Sequence, residues 1–233
     1  MRDLHGSTPI TSVIIPAFNE ETSIGLVLDN LPQERLKEII VVNNGSTDKT
    51  ACVAKKHGAR VVDETLRGYG AACLKGISEL DDPEIVVFID GDFSDFPEEI
   101  ESLVKPIVEN RADFVLGSRM IFPESRAALL PQARYGNLLA VFLMKLFFRC
   151  QFTDLGPFRA IRYQSLKEIN MTDKNFGWTV EMQIKVVRHG LRIMEIPVHY
   201  RKRIGVSKIT GTISGTFKAG TKIIFTIFKY LLT

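Results

Sequence analysis

Short, unbroken apolar runs recur through the first half of this chain. Ser12-Val13-Ile14-Ile15-Pro16, Glu38 to Asn43, Ala59 to Asp63, Glu84 to Ile89 and Ala112 to Leu116 are rich in β-branched residues and too short for independent helices. Runs of that kind read as strands, the most apolar of them buried on both faces. Helix signals fill the gaps. Asn19 or Thr22 offers a cap ahead of a helix, with Glu20 and Glu21 near its N-terminus, where acids are favoured. Asn43-Asn44-Gly45-Ser46-Thr47-Asp48 is a turn that caps a helix from Lys49 to His57. Gly68-Tyr69-Gly70 opens a helix through Leu80, and Pro97 with Glu98 and Glu99 starts another. This alternation predicts an α/β fold: a parallel sheet with helices on both faces, joined by right-handed crossovers.

Beyond residue 120 the rhythm changes. Asn137 to Phe148 is apolar except for Lys145 and is too short to span a bilayer. It reads first as a buried helix and second as a helix lying at a lipid interface. Phe158 to Arg162 reads as a strand, Trp178 to His189 as a helix and Arg192 to Val198 as a strand ended by Pro197. Phe217 to Leu232 sets Lys218, Lys222 and Lys229 on one stripe among Ile223, Phe225, Ile227 and Phe228. That pattern fits a basic amphipathic helix on a membrane surface, or one packed on the core or on a partner subunit. Residues 1–210 thus read as one catalytic domain and 211–233 as an amphipathic helix.

Composition narrows the setting. Of the 30 Lys and Arg, seven follow Glu195, whereas all 27 Asp and Glu lie at or before it. A basic tail on a mildly acidic body calls for an anionic partner, here a membrane surface rather than nucleic acid. Three cysteines without a C-x-x-C suit a reducing compartment. With no signal peptide or spanning segment in view, the expected place is the cytoplasm, peripherally at the inner membrane face.

The chemistry centres on Asp90-Gly91-Asp92, which closes the most apolar of the strands. Ligands of open α/β sheets bind beyond the carboxyl ends of strands. Two carboxylates one residue apart repel, and a hard divalent cation between them relieves the repulsion while gripping a substrate diphosphate. An isolated Asp-x-Asp is more often a solvated turn, but the motifs before and after this one favour a site. His5, His57, His189 and His199 lack metal-ligand spacing.

Pro16-Ala17-Phe18-Asn19-Glu20, then Val42 to Asp48, then Asp90-Gly91-Asp92 with Pro97-Glu98, resemble the family 2 glycosyltransferases in kind and order. Gly117-Ser118-Arg119, Asp154 with Phe158-Arg159, and Gly205-x-Ser207-Lys208 make the chain similar to the dolichyl-phosphate mannose synthase branch, which glycosylates polyprenyl phosphates. The resemblance implies a GT-A fold, the Rossmann-like fold of nucleotide-diphospho-sugar transferases, with a mostly parallel central sheet. It also implies a GDP- or UDP-hexose donor, Mg²⁺ or Mn²⁺, inversion at the anomeric carbon, and a dolichyl or undecaprenyl phosphate acceptor. By the same resemblance Pro16, Phe18 and Glu20 line the nucleotide pocket with Val42 and Asn44. Asp90, Gly91 and Asp92 meet the ribose, diphosphate and metal. Arg119 faces the donor sugar or acceptor phosphate, and Lys208 holds phosphate oxygens with Lys202 or Arg203.

These residue types suit the reaction. Charge builds on the departing diphosphate, and a metal on Asp92 with a basic pair neutralises it without proton transfer. A lipid phosphate acceptor is already ionised, its second pKa being about 6, so no strong base is needed. A hydroxyl acceptor would need one, and Asp154 is then the candidate. The alternative for Asp154 is a structural contact to Arg159 or Arg162. Three departures from the family pattern stand out. Asn43-Asn44 replaces two aspartates, Ser94 stands where the mannose synthases carry a metal-binding glutamine, and the basic loop 201–203 lies one residue nearer its glycine. Three rival readings are transfer to a soluble or polysaccharide acceptor, a nucleotidyltransferase and a non-catalytic peripheral membrane protein. Ala17-Phe18-Asn19-Glu20 lacks the glycine-rich basic loop of a nucleotidyltransferase, and the intact Asp90 and Asp92 weigh against a scaffold.

Overall fold

The computed structural model describes residues 9–204 and 213–232. Seven strands, β1 (Thr11–Ala17), β2 (Glu38–Asn43), β3 (Arg60–Asp63), β4 (Ile85–Phe88), β5 (Phe114–Ser118), β6 (Arg159–Arg162) and β7 (Ile193–Pro197), form one sheet in the order β3-β2-β1-β4-β6-β5-β7. The α-helices among the described residues are α1 (Ile24–Asp29), α2 (Thr50–Lys56), α3 (Tyr69–Ser78), α4 (Ile100–Val108), α5 (Pro123–Ala128), α6 (Pro131–Phe148), α7 (Tyr163–Ile169), α8 (Trp178–Arg188) and α9 (Ile213–Leu232).

The unbroken apolar runs have the expected cause. Both faces of the sheet are covered, so side chains on alternate sides of a strand are equally dry. On one face Ile14, Val42, Val86, Phe88 and Phe114 pack with Trp178 and Met182 of α8. On the other Val13, Ile15, Val41 and Val87 pack with Ile24 and Leu28 of α1 and with Leu103 and Ile107 of α4.

The sheet is mostly parallel, as expected, and one strand breaks the pattern. β6 runs antiparallel to both β4 and β5, with Phe88 and Leu116 each opposite Arg159. After β5 the chain passes through α5 and α6 and re-enters the sheet from the edge where β4 and β5 end. A strand entering there must run backwards. The segment just before β6, which contains Asp154, therefore lies beside the segments just after β4 and β5.

α6 also departs from the buried helix expected first. Asn137, Ala140 and Met144 are buried, but Tyr135, Leu138, Leu139, Phe142 and Leu146 are exposed. It packs against α9, where Phe147 meets Phe228 at 5.6 Å between ring centroids. α9 buries Thr226 and Ile227 while Phe225, Phe228 and Leu231 stay exposed. No helix among the described residues is long and apolar enough to cross a membrane.

A polar clamp holds the edge of the sheet away from the site. Arg192 donates from Nε and Nη2 to the Asp113 carboxylate (2.9 and 2.7 Å), and Arg162 Nε joins it at 3.1 Å. The hydrogen bonds from Arg192 hold the Asp113 pKa down to about 2. A depressed carboxylate stabilises the fold above its unfolded pKa, about 3.9, and that stabilisation is lost as pH falls through the folded value. Acid titration followed by circular dichroism should show Asp113→Asn less stable than wild type at pH 6, with the difference vanishing near pH 2. A difference that persists undiminished at pH 2 would remove the ion pairs as its cause.

Candidate active site

Every segment that leaves the sheet at the C-terminal ends of β1, β2, β4, β5 and β7, and the one that enters β6, converges on one edge. Two of these loops are stitched together first. The Asn19 N–H donates to Ser46 Oγ (3.0 Å), and Asn19 Oδ1 accepts from the Thr47 N–H (2.8 Å). Asn19 thus ties the loops after β1 and β2 rather than capping α1, whose N-cap is Ser23. Asn44 is similarly engaged. Its Nδ2 donates to the Glu64 and Leu66 carbonyls (3.1 and 2.8 Å), and its Oδ1 accepts from the Gly68 N–H at 2.9 Å. While lining the cavity, this amide also positions the wall that leads into α3. Gly68 and Gly70 let that wall close, because a Cβ on Gly70 would fall 2.0 Å from the Asp173 carbonyl oxygen.

A cavity of about 360 Å³ opens between these segments. Its walls are Pro16, Ala17, Phe18, Glu20, Asn44, Arg67, Gly68, Tyr69, Ala72, Asp90, Gly91, Asp92, Phe176 and Arg203. Of the residues expected to line the nucleotide pocket, Val42 is the one outside it. It is buried beneath α3, 3.2 Å from where a Cβ on Gly76 would lie. At the other wall the Arg67 guanidinium lies 3.9 Å over the Phe18 ring, a cation–π contact.

The acidic end of the cavity is electrostatically unusual. Asp90 Oδ1 is enclosed and has no hydrogen-bond partner among the described residues. Burial and then the charge of Asp92 push the Asp90 pKa up to about 7. Asp92 is held differently: its Oδ1 accepts from the Ser94 N–H (2.9 Å) and hydroxyl, and its Oδ2 lies 3.2 Å from Arg203 Nη1. Ser94 is thus a support for Asp92. The same Arg203 reaches Glu20 through Nη2 at 2.6 Å. A buried carboxylate with one oxygen unpartnered, beside one already neutralised by a cation, fits a divalent ion, which would relieve the burial and the repulsion together. Among the described residues no group of three His, Cys, Asp or Glu could hold a metal. Two carboxylates plus substrate phosphates is the usual protein share of a Mg²⁺ site.

Deeper in the edge, Arg119 and Asp154 form a buried pair. Arg119 donates from Nε and Nη2 to the two Asp154 oxygens (2.7 and 2.8 Å) and from its backbone N–H at 2.9 Å. Asp154 also accepts from the Leu155 N–H at 2.7 Å. Burial alone would raise its pKa, but the Arg119 charge and hydrogen bonds prevail and hold it below the usual range. The structural partner of Asp154 is therefore Arg119. Arg159 turns to the Thr179, Leu155 and Gly156 carbonyls, and Arg162 turns to Asp113. Glu195 on β7 supports this loop by accepting from the Thr153 and Asp154 N–H groups.

Lys202 and Arg203 part company. The segment 201–204 runs beside residues 92–94, with Arg201 N–H on Ser94 O (2.9 Å) and Ile204 N–H on Asp92 O (3.1 Å). Arg203 lines the acidic cavity, whereas Lys202 lines a second one, of about 420 Å³, with Arg126, Ala127, Ala128, Leu129, Leu130, Pro131, Arg134 and Tyr135. That second cavity has basic and apolar walls and no acid. Lys208 lies outside the described residues.

Sequence reasoning missed Arg126 and Arg134, because two arginines eight residues apart carry no motif. It also missed Asp95, which is buried with both carboxylate oxygens lacking a partner among the described residues. Burial and the charge of Asp90 push its pKa up. Its position three residues after Asp92 was the available signal.

Residues 12–169 match the model of glycosyl transferase family 2. A dolichyl-phosphate hexose transferase of Haloferax volcanii is 32% identical over 205 residues, spanning 85% of this chain and 86% of that one. An undecaprenyl-phosphate mannosyltransferase of Micrococcus luteus is 30% identical, spanning 87% and 88%. Among solved structures, glucosyl-3-phosphoglycerate synthase of Mycobacterium tuberculosis, crystallised with Mn²⁺, UDP-glucose and phosphoglyceric acid, superposes with a TM-score of 0.77. That likeness, at 23% identity over 96% of this chain and 80% of that one, is a likeness of fold, the GT-A fold.

Proposed function

The chain belongs to glycosyl transferase family 2 and is a hexosyltransferase, and we propose that it moves a hexose from a nucleoside-diphosphate sugar to a polyprenyl phosphate at a membrane surface. The observation that carries the acceptor class is the split between Lys202 and Arg203. One cation serves an acidic, cation-ready cavity suited to a diphosphate. The other serves a basic cavity with apolar walls, suited to a phosphate that carries a hydrocarbon chain. Tyr135 and Leu130 on its rim are exposed and continue into the exposed apolar side of α6. The names of the two relatives that act on lipid phosphates point the same way. The free cysteines Cys52, Cys73 and Cys150 are compatible with the cytoplasmic side.

In this reading the base and ribose lie along Phe18, Asn44 and Arg67, and the diphosphate lies towards Asp90, Asp92 and Arg203. Bound Mg²⁺ or Mn²⁺, held by Asp90 and Asp92, would supply positive charge where the leaving diphosphate gains negative charge. Arg203 donates to that diphosphate. Arg119, held by two side-chain hydrogen bonds to Asp154, lies close enough for its charge to act on Asp90. Asp154 already accepts four hydrogen bonds and is wholly buried, so it orients Arg119 and takes no proton. An ionised phosphate acceptor asks for none.

The test is a screen of radiolabelled nucleotide sugars against a short polyprenyl phosphate and, in parallel, 3-phosphoglycerate. Label should enter the lipid fraction only; label confined to phosphoglycerate would defeat the lipid reading. Arg134→Ala should raise the KM for the polyprenyl phosphate about tenfold, the equivalent of losing about 1.4 kcal/mol of binding, and leave the donor KM within twofold. An unchanged acceptor KM would take the basic cavity out of the acceptor path.

A further inference from the structure

We infer that Arg203 is the resident counter-ion of the site, and that metal and nucleoside diphosphate displace it together. This rests on the reading above, in which Asp90 and Asp92 take a divalent cation and the cavity takes a nucleoside diphosphate. Both outward options of Asp92 are already in use. Its Oδ1 is held by Ser94, and its Oδ2 faces Arg203 Nη1 at 3.2 Å. The guanidinium is anchored a second time on Glu20, at 2.6 Å. Its Nε is buried without a partner among the described residues, so the fork faces the carboxylates with no other tie on it.

A divalent cation arriving alone meets a positive charge on the oxygen it needs. Taking that oxygen leaves Arg203 without one of its two carboxylates in a part-buried site, which is unfavourable. A nucleoside diphosphate arriving with the cation removes the difficulty. Its oxygens match the planar fork of an arginine, so Arg203 exchanges carboxylate partners for phosphate ones. The backbone need not move. Arg201 and Ile204 stay paired with Ser94 and Asp92 while the side chain between them turns. Metal and nucleotide then each strengthen the other through this residue, and by linkage the factor is the same in both directions.

The experiment is calorimetric titration of Mn²⁺ into the full chain, alone and with saturating UDP or GDP, with circular dichroism as a check on folding. Wild type should bind Mn²⁺ weakly alone and about tenfold more tightly with the preferred nucleotide, within the usual range of coupling factors. Arg203→Met should bind Mn²⁺ alone several-fold more tightly than wild type, and the gain on adding nucleotide should shrink by the same factor. Arg203→Lys keeps the charge and should return Mn²⁺ binding alone towards the wild-type value. Unchanged or weaker Mn²⁺ binding by a folded Arg203→Met overturns the inference while leaving the enzyme reading intact. Failure of every form to bind Mn²⁺, with nucleotide or without, overturns both.

Discussion

Asp154→Ala is expected to lower the melting temperature by on the order of 10 °C and to abolish transfer. The side chain of Asp154 is fully buried, and that of Arg119 is only 14% exposed. Removing one partner of such a pair strands the other charge, at about 3–5 kcal/mol. In a chain of this size each kcal/mol is worth about 2–4 °C. Thermal denaturation of the single variants and the double variant Arg119→Met with Asp154→Ala would measure the coupling. The double variant should recover much of the stability, because an apolar pair replaces a charged one, and none of the activity. A single variant as stable as wild type would show that the pair does not hold this edge of the sheet together.

The second large effect separates chemistry from architecture. Asp92→Asn should reduce kcat by about 10²–10³-fold or more, the range for losing a group that stabilises transition-state charge. Stability should change little. The asparagine Oδ1 can still accept from Ser94, and Arg203 keeps Glu20. Steady-state rates with and without EDTA, beside a melting curve, check both halves. A variant that retains near-normal turnover, or wild type that ignores EDTA, would remove Asp92 from the reaction. Two buried carboxylates at one sheet edge thus have opposite expected profiles, and the difference follows from their partners. Asp154 holds a side chain that has nowhere else to go. Asp92 holds one that can turn to a phosphate.

Much of this site was legible along the chain, because most of its residues stand in the first turn after a strand. Phe18, Glu20, Asn44, Asp90, Asp92 and Arg119 follow β1, β2, β4 and β5, and the apolar runs locate those strand ends directly. Val42 was misplaced by one step of the pleat: it belongs to the strand, so its side chain goes into the core rather than the cavity. Asn44 stands in the cavity wall, and only the tertiary structure shows that its amide also holds the backbone of residues 64–68. Asp154 could be singled out but not paired. Nothing local says that the strand after it runs backwards, and only that reversal brings it to Arg119.

By itself the sequence determined the strand ends, the paired carboxylates, the basic tail and the family, since each depends on the order of a few neighbouring residues. Tertiary structure decided which charges meet. Lys202 and Arg203 are adjacent in the chain, yet they line different cavities: the segment carrying them is pinned to residues 92–94 at Arg201 and Ile204, and between those ties Arg203 turns to Asp92 while Lys202 joins the walls from α5 and α6. Partners of a charge are set by distance in space, and here those distances depend on how strands far apart in sequence are ordered in the sheet.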